Sequence, residues 1–180
     1  MLKIVVPDSE FYDEAKNEFI KVNGQTLTLE HSLVSIAKWE AKWHVPFFNG
    51  RNSEKTTEQV IDYIRCMTLT QNVDPNIYFA LPESALKQIN DYIEDPMTAT
   101  TFKGKLPGNP YQIITNEVVY YQMIALGIPI EFQKWHFNRL QTLIRVVQEK
   151  SSGKKMSKTD IYRMNNDLNA ARRAKFKTKG

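Results

Sequence analysis

Glu18-Phe19-Ile20-Lys21-Val22-Asn23-Gly24-Gln25-Thr26-Leu27-Thr28-Leu29-Glu30-His31-Ser32-Leu33-Val34-Ser35-Ile36-Ala37-Lys38-Trp39-Glu40-Ala41-Lys42-Trp43 holds the change of period that decides the fold class. Up to Leu29, apolar and polar residues alternate, which is the pattern of a half-buried strand. Asn23-Gly24 supplies the two positive-φ residues of a type I′ turn, so the spacing predicts a β-hairpin from strands 18–22 and 25–29. From Ser32 the period becomes helical. Leu33, Ile36, Ala37, Trp39 and Trp43 fall on one arc of a wheel, and Ser32 is placed to cap its start.

Working outward, Leu2 to Val6 reads as a short strand stopped by Pro7. An isolated hairpin is barely stable, so a helix must cover its apolar face. Pro46 ends the first helix, because proline disfavours helical geometry in the residue before it. Asn49-Gly50-Arg51-Asn52-Ser53 reads as a loop. Thr56 with Gln59 forms a capping box opening a second helix to about Leu69, with Val60, Ile64 and Met67 on one side. Asp74-Pro75-Asn76 is a break. Pro82, at a first-turn position, starts a third helix with Leu86, Ile89 and Ile93 as its stripe, up to Asp95-Pro96. Residues 97–110 read as a loop. A fourth helix runs from about Asn116 to Leu126, closed by Gly127 with Pro129 beyond. The last body helix carries Phe132, Trp135, Leu140, Leu143, Ile144 and Val147 as a broad stripe ending at Glu149. The expected fold is therefore mainly α, of α+β class: about five helices with a small N-terminal hairpin or sheet within about residues 1–30.

Charge divides the chain. The 180 residues hold 24 Lys+Arg against 20 Asp+Glu, a formal +4. Residues 1–150 hold 15 and 18, a net −3, and residues 151–180 hold 9 and 2, a net +7. The reading is a body over 1–150 and a basic appendage over 151–180, joined at Ser151-Ser152-Gly153. Within the appendage, Ser157-Lys158-Thr159-Asp160 resembles a capping box ahead of Ile161, Met164, Leu168 and Ala171, an amphipathic helix too thinly apolar to be stable alone. Lys154, Lys155, Lys158, Arg163, Arg172, Arg173, Lys175, Lys177 and Lys179 are its candidate contacts with an acidic partner or with phosphates. Phe176 alone interleaves with them at the end, which is no stacking platform for single strands.

Length and composition exclude several classes. With 42% hydrophobic residues and 11% aromatics the chain can bury a core. A single cysteine, Cys66, excludes an internal disulfide framework and a cysteine-based zinc site. No apolar run approaches a membrane span, and the opening seven residues are too short for a signal core, so a cytoplasmic protein without membrane contact is expected.

Chemistry is hard to find. His31, His44 and His136 have no metal-ligand spacing between them. His136 and Arg139 lie on the last apolar stripe, where a core histidine and a buried, hydrogen-bonded arginine are expected. His44 is placed to cap the final carbonyls of the first helix. Cys66, between Arg65 and Met67 on a helix, reads as packing. Gly104-Lys105-Leu106-Pro107-Gly108 lacks the spacing of a phosphate loop, and no nucleophile–base–orienter set can be named. No cofactor and no catalysis are expected. What remains is aromatic: Trp39, Trp43, Phe47, Phe48, Tyr120, Tyr121, Trp135 and, beside the last, Arg139. Exposed, they would mark a partner groove; on stripe geometry Trp135 and the Trp39/Trp43 pair would equally serve as core.

The stretch from Leu29 to Phe47 resembles a family of tailed-bacteriophage proteins. So do Asp62-Tyr63-Ile64-Arg65-Cys66-Met67-Thr68, Gln133-Lys134-Trp135-His136-Phe137-Asn138-Arg139-Leu140 and the ending with Arg172-Arg173 and Lys177-Thr178-Lys179-Gly180. These sequences resemble tail assembly chaperones of long-tailed phages, encoded ahead of the tape measure protein. The resemblance covers most of the chain. It implies binding to the tape measure protein in the host cytoplasm during virion morphogenesis, and help in recruiting the tail tube protein. An aromatic helical body suits an amphipathic client helix, and an acidic body with a basic tail suits head-to-tail self-association. Two other functions fit the same residues. One is a neck, connector or tail protein retained in the virion. The other, ranked last for want of a helix-turn-helix, is nucleic-acid binding through the basic tail.

Overall fold

The computed structural model describes residues 1–13, 17–48, 55–102 and 113–151, together with 162 and 166. Among the described residues the architecture is α+β, with four strands, β1 (Leu2–Val6), β2 (Ser9–Asp13), β3 (Glu18–Val22) and β4 (Gln25–Leu29), and the α-helices α1 (Leu33–Trp43), α2 (Thr57–Met67), α3 (Glu83–Glu94), α4 (Asn116–Ala125) and α5 (Phe137–Ser151). The strands and helices expected from the sequence form, β2 is a further strand that the sequence reading did not give, and the hairpin pairs differently. β4 pairs antiparallel with β1, and β3 with β2. Partners number 31 in sum throughout both ladders, from Leu2 with Leu29 to Asp13 with Glu18. The two ladders are thus halves of one long ribbon in a single register, broken where Pro7-Asp8 faces Asn23-Gly24.

Asn23-Gly24 is therefore not the turn. Neither residue has a positive φ. Pro7 has no N–H to give a ladder, which interrupts pairing at that level. Opposite it, a Cβ on Gly24 would stand 2.7 Å from the Val6 carbonyl oxygen and 2.7 Å from the Asp8 nitrogen. Gly24 N–H donates to Asp8 Oδ1 at 2.5 Å. The glycine is needed for close approach of two backbones, not for turning. We expect Gly24→Ala to lower stability by about 2 kcal/mol, because backbone must shift to admit the methyl; a chemical-denaturation midpoint equal to the wild type's would contradict this. The break also re-aims the ribbon. Ile4, Val6, Leu27 and Leu29 point into the core on the inner half, whereas on the outer half the other parity, Val22 with half-buried Phe11 and Ile20, turns inward.

α3 packs on β1. After α2 the chain returns along the far side of β4: Leu69 N–H donates to the Thr28 carbonyl at 2.8 Å and Glu30 N–H to that of Met67 at 2.9 Å. α1 is the central helix, against α2, α4 and the turn 130–134. Ser32 and Ser35 cap it reciprocally, Ser35 N–H donating to Ser32 Oγ at 3.3 Å and Ser32 N–H to Ser35 Oγ at 2.9 Å. Thr56 and Gln59 do the same for α2. Gly127, at φ 65°, closes α4 in the left-handed conformation expected of it.

Four details depart from the sequence reading. Asp74-Pro75-Asn76 is not only a break: the Asp74 side chain caps a short 3-10 turn, Pro75–Tyr78, that buries Ile77 and Tyr78. The inward face of α3 is Ala85, Ile89 and Tyr92, one position away from the expected Leu86–Ile93 stripe, and Leu86 is exposed. α2 stops at Met67, because Thr68 turns extended to join β4. Phe132 and Trp135 precede α5 rather than lie on it. Pro129 starts a separate 3-10 turn, Ile130–Lys134, and Trp135 is extended.

The chain divides into two compact units, Met1–Ile144 and Arg145–Gly180. In the second unit Arg145 Nε donates to Glu149 Oε1 at 3.0 Å, one helical turn on. Tyr162 and Asn166 there are helical and exposed; the rest of the expected tail helix, and the loop 49–53, lie outside the described residues. Among the described residues no helix is long and apolar enough to cross a membrane.

Candidate functional site

The aromatic set splits into core and surface. Trp39 is 1% exposed, and its Nε1–H donates to the Gln59 carbonyl at 2.9 Å. Phe47 is buried edge-on to it at 5.2 Å and lies 4.3 Å from the Tyr63 ring. Phe48 stacks on Phe137 at 4.8 Å. Trp39 and Phe47 are therefore core residues in this structure, which removes them from a partner surface. Trp43 is half-buried and gives its Nε1–H to Asp62 Oδ2 at 3.0 Å.

At the surface, Phe132 and Trp135 stack at 4.1 Å, and the Arg139 guanidinium lies 4.0 Å over the Trp135 ring. Arg139 is exposed, not buried as the stripe suggested, because α5 begins after Trp135 and the wheel turns accordingly. A guanidinium on an indole face gains cation–π attraction while keeping its hydration. Tyr120 is half-buried with its hydroxyl donating to Gln133 Oε1 at 2.8 Å, and Tyr121 is 70% exposed. Ile124, one turn from Tyr121, is 74% exposed. α4 is apolar around most of its circumference: Val119 and Met123 are buried, and the opposite face shows Tyr121, Ile124 and Ala125 to solvent.

The histidines assemble in an unexpected way. His31 and His136 are both buried, with ring centroids 5.1 Å apart. The backbone brings them there: Phe137 N–H donates to the His31 carbonyl at 2.8 Å. His31 Nδ1 is hydrogen-bonded to the Tyr63 hydroxyl, which also lies 3.4 Å from Ser35 Oγ. His136 Nε2 is 2.9 Å from the Tyr92 carbonyl. A carbonyl only accepts, so Nε2 holds the proton, and Nδ1 is left as a buried acceptor with no partner among the described residues. The Tyr92 hydroxyl donates to Glu30 Oε1 at 2.6 Å. Burial, with His136 adjacent, pushes His31 down to about 3. Burial also lowers His136, and raises Tyr63 and Tyr92 above the usual phenol range. The cluster is thus a set of neutral imidazoles and protonated phenols. Among the described residues no group of three His, Cys, Asp or Glu side chains is placed to hold a metal ion.

The other candidates are structural. His44 caps α1 through its backbone, at φ 52° with its N–H on the Glu40 carbonyl at 2.8 Å, and its side chain is exposed. Burial, with Asp62 nearby, raises the Cys66 thiol, the opposite of what a nucleophile needs. Two buried carboxylates, Glu40 and Asp62, escaped the sequence reading. The available signal was position: Glu40 stands one turn from Ile36 and next to Trp39, on the arc that faces the core. Lys154, Lys155, Lys158, Arg163, Arg172, Arg173, Lys175, Lys177 and Lys179 lie outside the described residues. Compared with protein-family models, curated proteins and solved structures, the chain matches none.

Proposed function

We propose that the chain is a non-enzymatic morphogenesis factor of long-tailed bacteriophages, binding the tape measure protein in the host cytoplasm as a chaperone during tail assembly. The observation that carries this reading is the outward face of α4. Two large apolar side chains one turn apart, Tyr121 and Ile124, stand 70% and 74% exposed on a helix whose other side is packed. An amphipathic client helix is the complement of such a face, since it buries its own apolar stripe there.

Co-expression with the tape measure protein of the same genome, followed by pull-down, tests the reading. The expected result is a complex and more soluble client. Tyr121→Ser with Ile124→Ser should weaken capture by about tenfold or more while leaving the thermal midpoint unchanged, because both side chains are solvated already. No complex, and no gain in client solubility, would end the chaperone reading. Mass spectrometry of purified virions separates it from a structural part: a chaperone is absent or at trace level, a connector or tail protein stoichiometric.

A further inference from the structure

The outer half of the N-terminal ribbon leaves an aromatic pair in water. Tyr12 and Phe19 are cross-strand partners with ring centroids 5.1 Å apart, and they remain 46% and 68% exposed. Register sets Glu10 and Lys21 next to them on the same face, and Glu18 is exposed at the end of β3. Burying rings of this size is favourable, so a paired, solvated set is a contact surface open to a complement.

In sequence, the stretch that holds the pair is acidic: residues 8–21 contain Asp8, Glu10, Asp13, Glu14 and Glu18 against Lys16 and Lys21, a net −3, equal to the net charge of the whole body. The complementary composition occurs once in the chain, in residues 151–180, with nine Lys+Arg against two acids and Ile161, Met164 and Leu168 at helical spacing. Tyr162 is 69% exposed. One segment is apolar and acidic, the other apolar and basic.

We infer that the Tyr12–Phe19 face is a docking surface for the basic C-terminal stretch of a second copy of this chain. The contact joins two different surfaces, so it is heterologous, and copies add head to tail into a ring or an open chain. The rings supply burial, and the opposed charges set orientation and speed encounter. Nothing in this inference depends on the client proposed above; it would hold for the protein alone.

The test is sedimentation of the full chain over a range of concentrations at low and high salt. Self-association is expected at low salt, weakening by about tenfold or more at high salt as the charges are screened. Glu10→Lys with Glu18→Lys, and separately Arg172→Glu with Arg173→Glu, should each weaken association by about tenfold or more, since the first takes residues 8–21 from net −3 to +1 and the second lowers the tail from +7 to +3. An equimolar mixture of the two variants sets the intact acidic stretch of one against the intact basic tail of the other and should recover association above that of either variant alone. Phe19→Ser gives an independent arm: its side chain is solvated, so the thermal midpoint should hold while association is lost. A wild-type chain that stays monomeric throughout, variants that associate as well as wild type, or a mixture no stronger than its components would each overturn the inference.

Discussion

Glu40→Ala is expected to cost about 3–5 kcal/mol of stability, because this buried carboxylate holds three donors at once. Its Oε1 accepts from the Phe47 N–H at 2.6 Å; its Oε2 accepts from the Asn116 N–H at 2.7 Å and from Asn116 Nδ2 at 2.5 Å. Asn116 is the first residue of α4, and Thr115 before it makes no side-chain cap. A side chain from α1 thus caps α4, and its negative charge sits where the dipole of α4 is positive. Alanine would leave the buried N–H groups of Phe47 and Asn116 without acceptors. Glu40→Gln keeps the volume but turns an NH2 toward one of those donors, and should cost about 1–3 kcal/mol. Urea unfolding checks both: the midpoint should fall with little change in slope. An alanine variant within about 0.5 kcal/mol of wild type would mean that the N–H groups find other partners.

Acid should destabilise the body through His31. Its folded-state value, about 3, lies below the ordinary 6.5, so the folded protein binds the imidazole proton less readily than the unfolded chain does. The associated stability is complete above pH 6.5 and is lost as pH falls from there towards 3. The slope approaches about 1.4 kcal/mol per pH unit, and the full window is worth about 5 kcal/mol. His136, also lowered by burial, adds in the same direction, with Glu30 and Asp95 moderating it. Carboxylates titrate in part of this window too, so the decisive quantity is the difference between wild type and His31→Gln. The variant retains a polar partner for Tyr63 but removes one titrating base. Its stability should depend less on pH between about 6 and 4, by up to about 1.4 kcal/mol per unit. Equal slopes for the two proteins would show that His31 is protonated in the folded state.

Much of the fold was legible because its signals are short-ranged. Ser32 and Thr56 cap helices with partners three residues away, and Gly127 closes α4 within one turn. These interactions depend on neighbours in sequence, so reading neighbours finds them. The site was legible only in part. Trp39 and Trp43 occupy one stripe, yet Trp39 is buried and Trp43 half-buried, because that depends on whether α2 covers them. Arg139 was misplaced for a similar reason: Pro129 allowed a separate turn before α5, and the helical phase began later than the apolar pattern suggested.

By itself the amino-acid order determined three of the four strand segments, the five helices with most of their caps, and the split between an acidic body and a basic end, since each follows from spacing or composition within a few residues. Only the tertiary structure decided that Pro7 faces Gly24, so that the apparent turn became a break in a longer ribbon. It also decided that His31 meets His136 and that Glu40 reaches across to α4. Those outcomes depend on which distant backbones can approach and which buried polar groups find partners, and no local pattern encodes either.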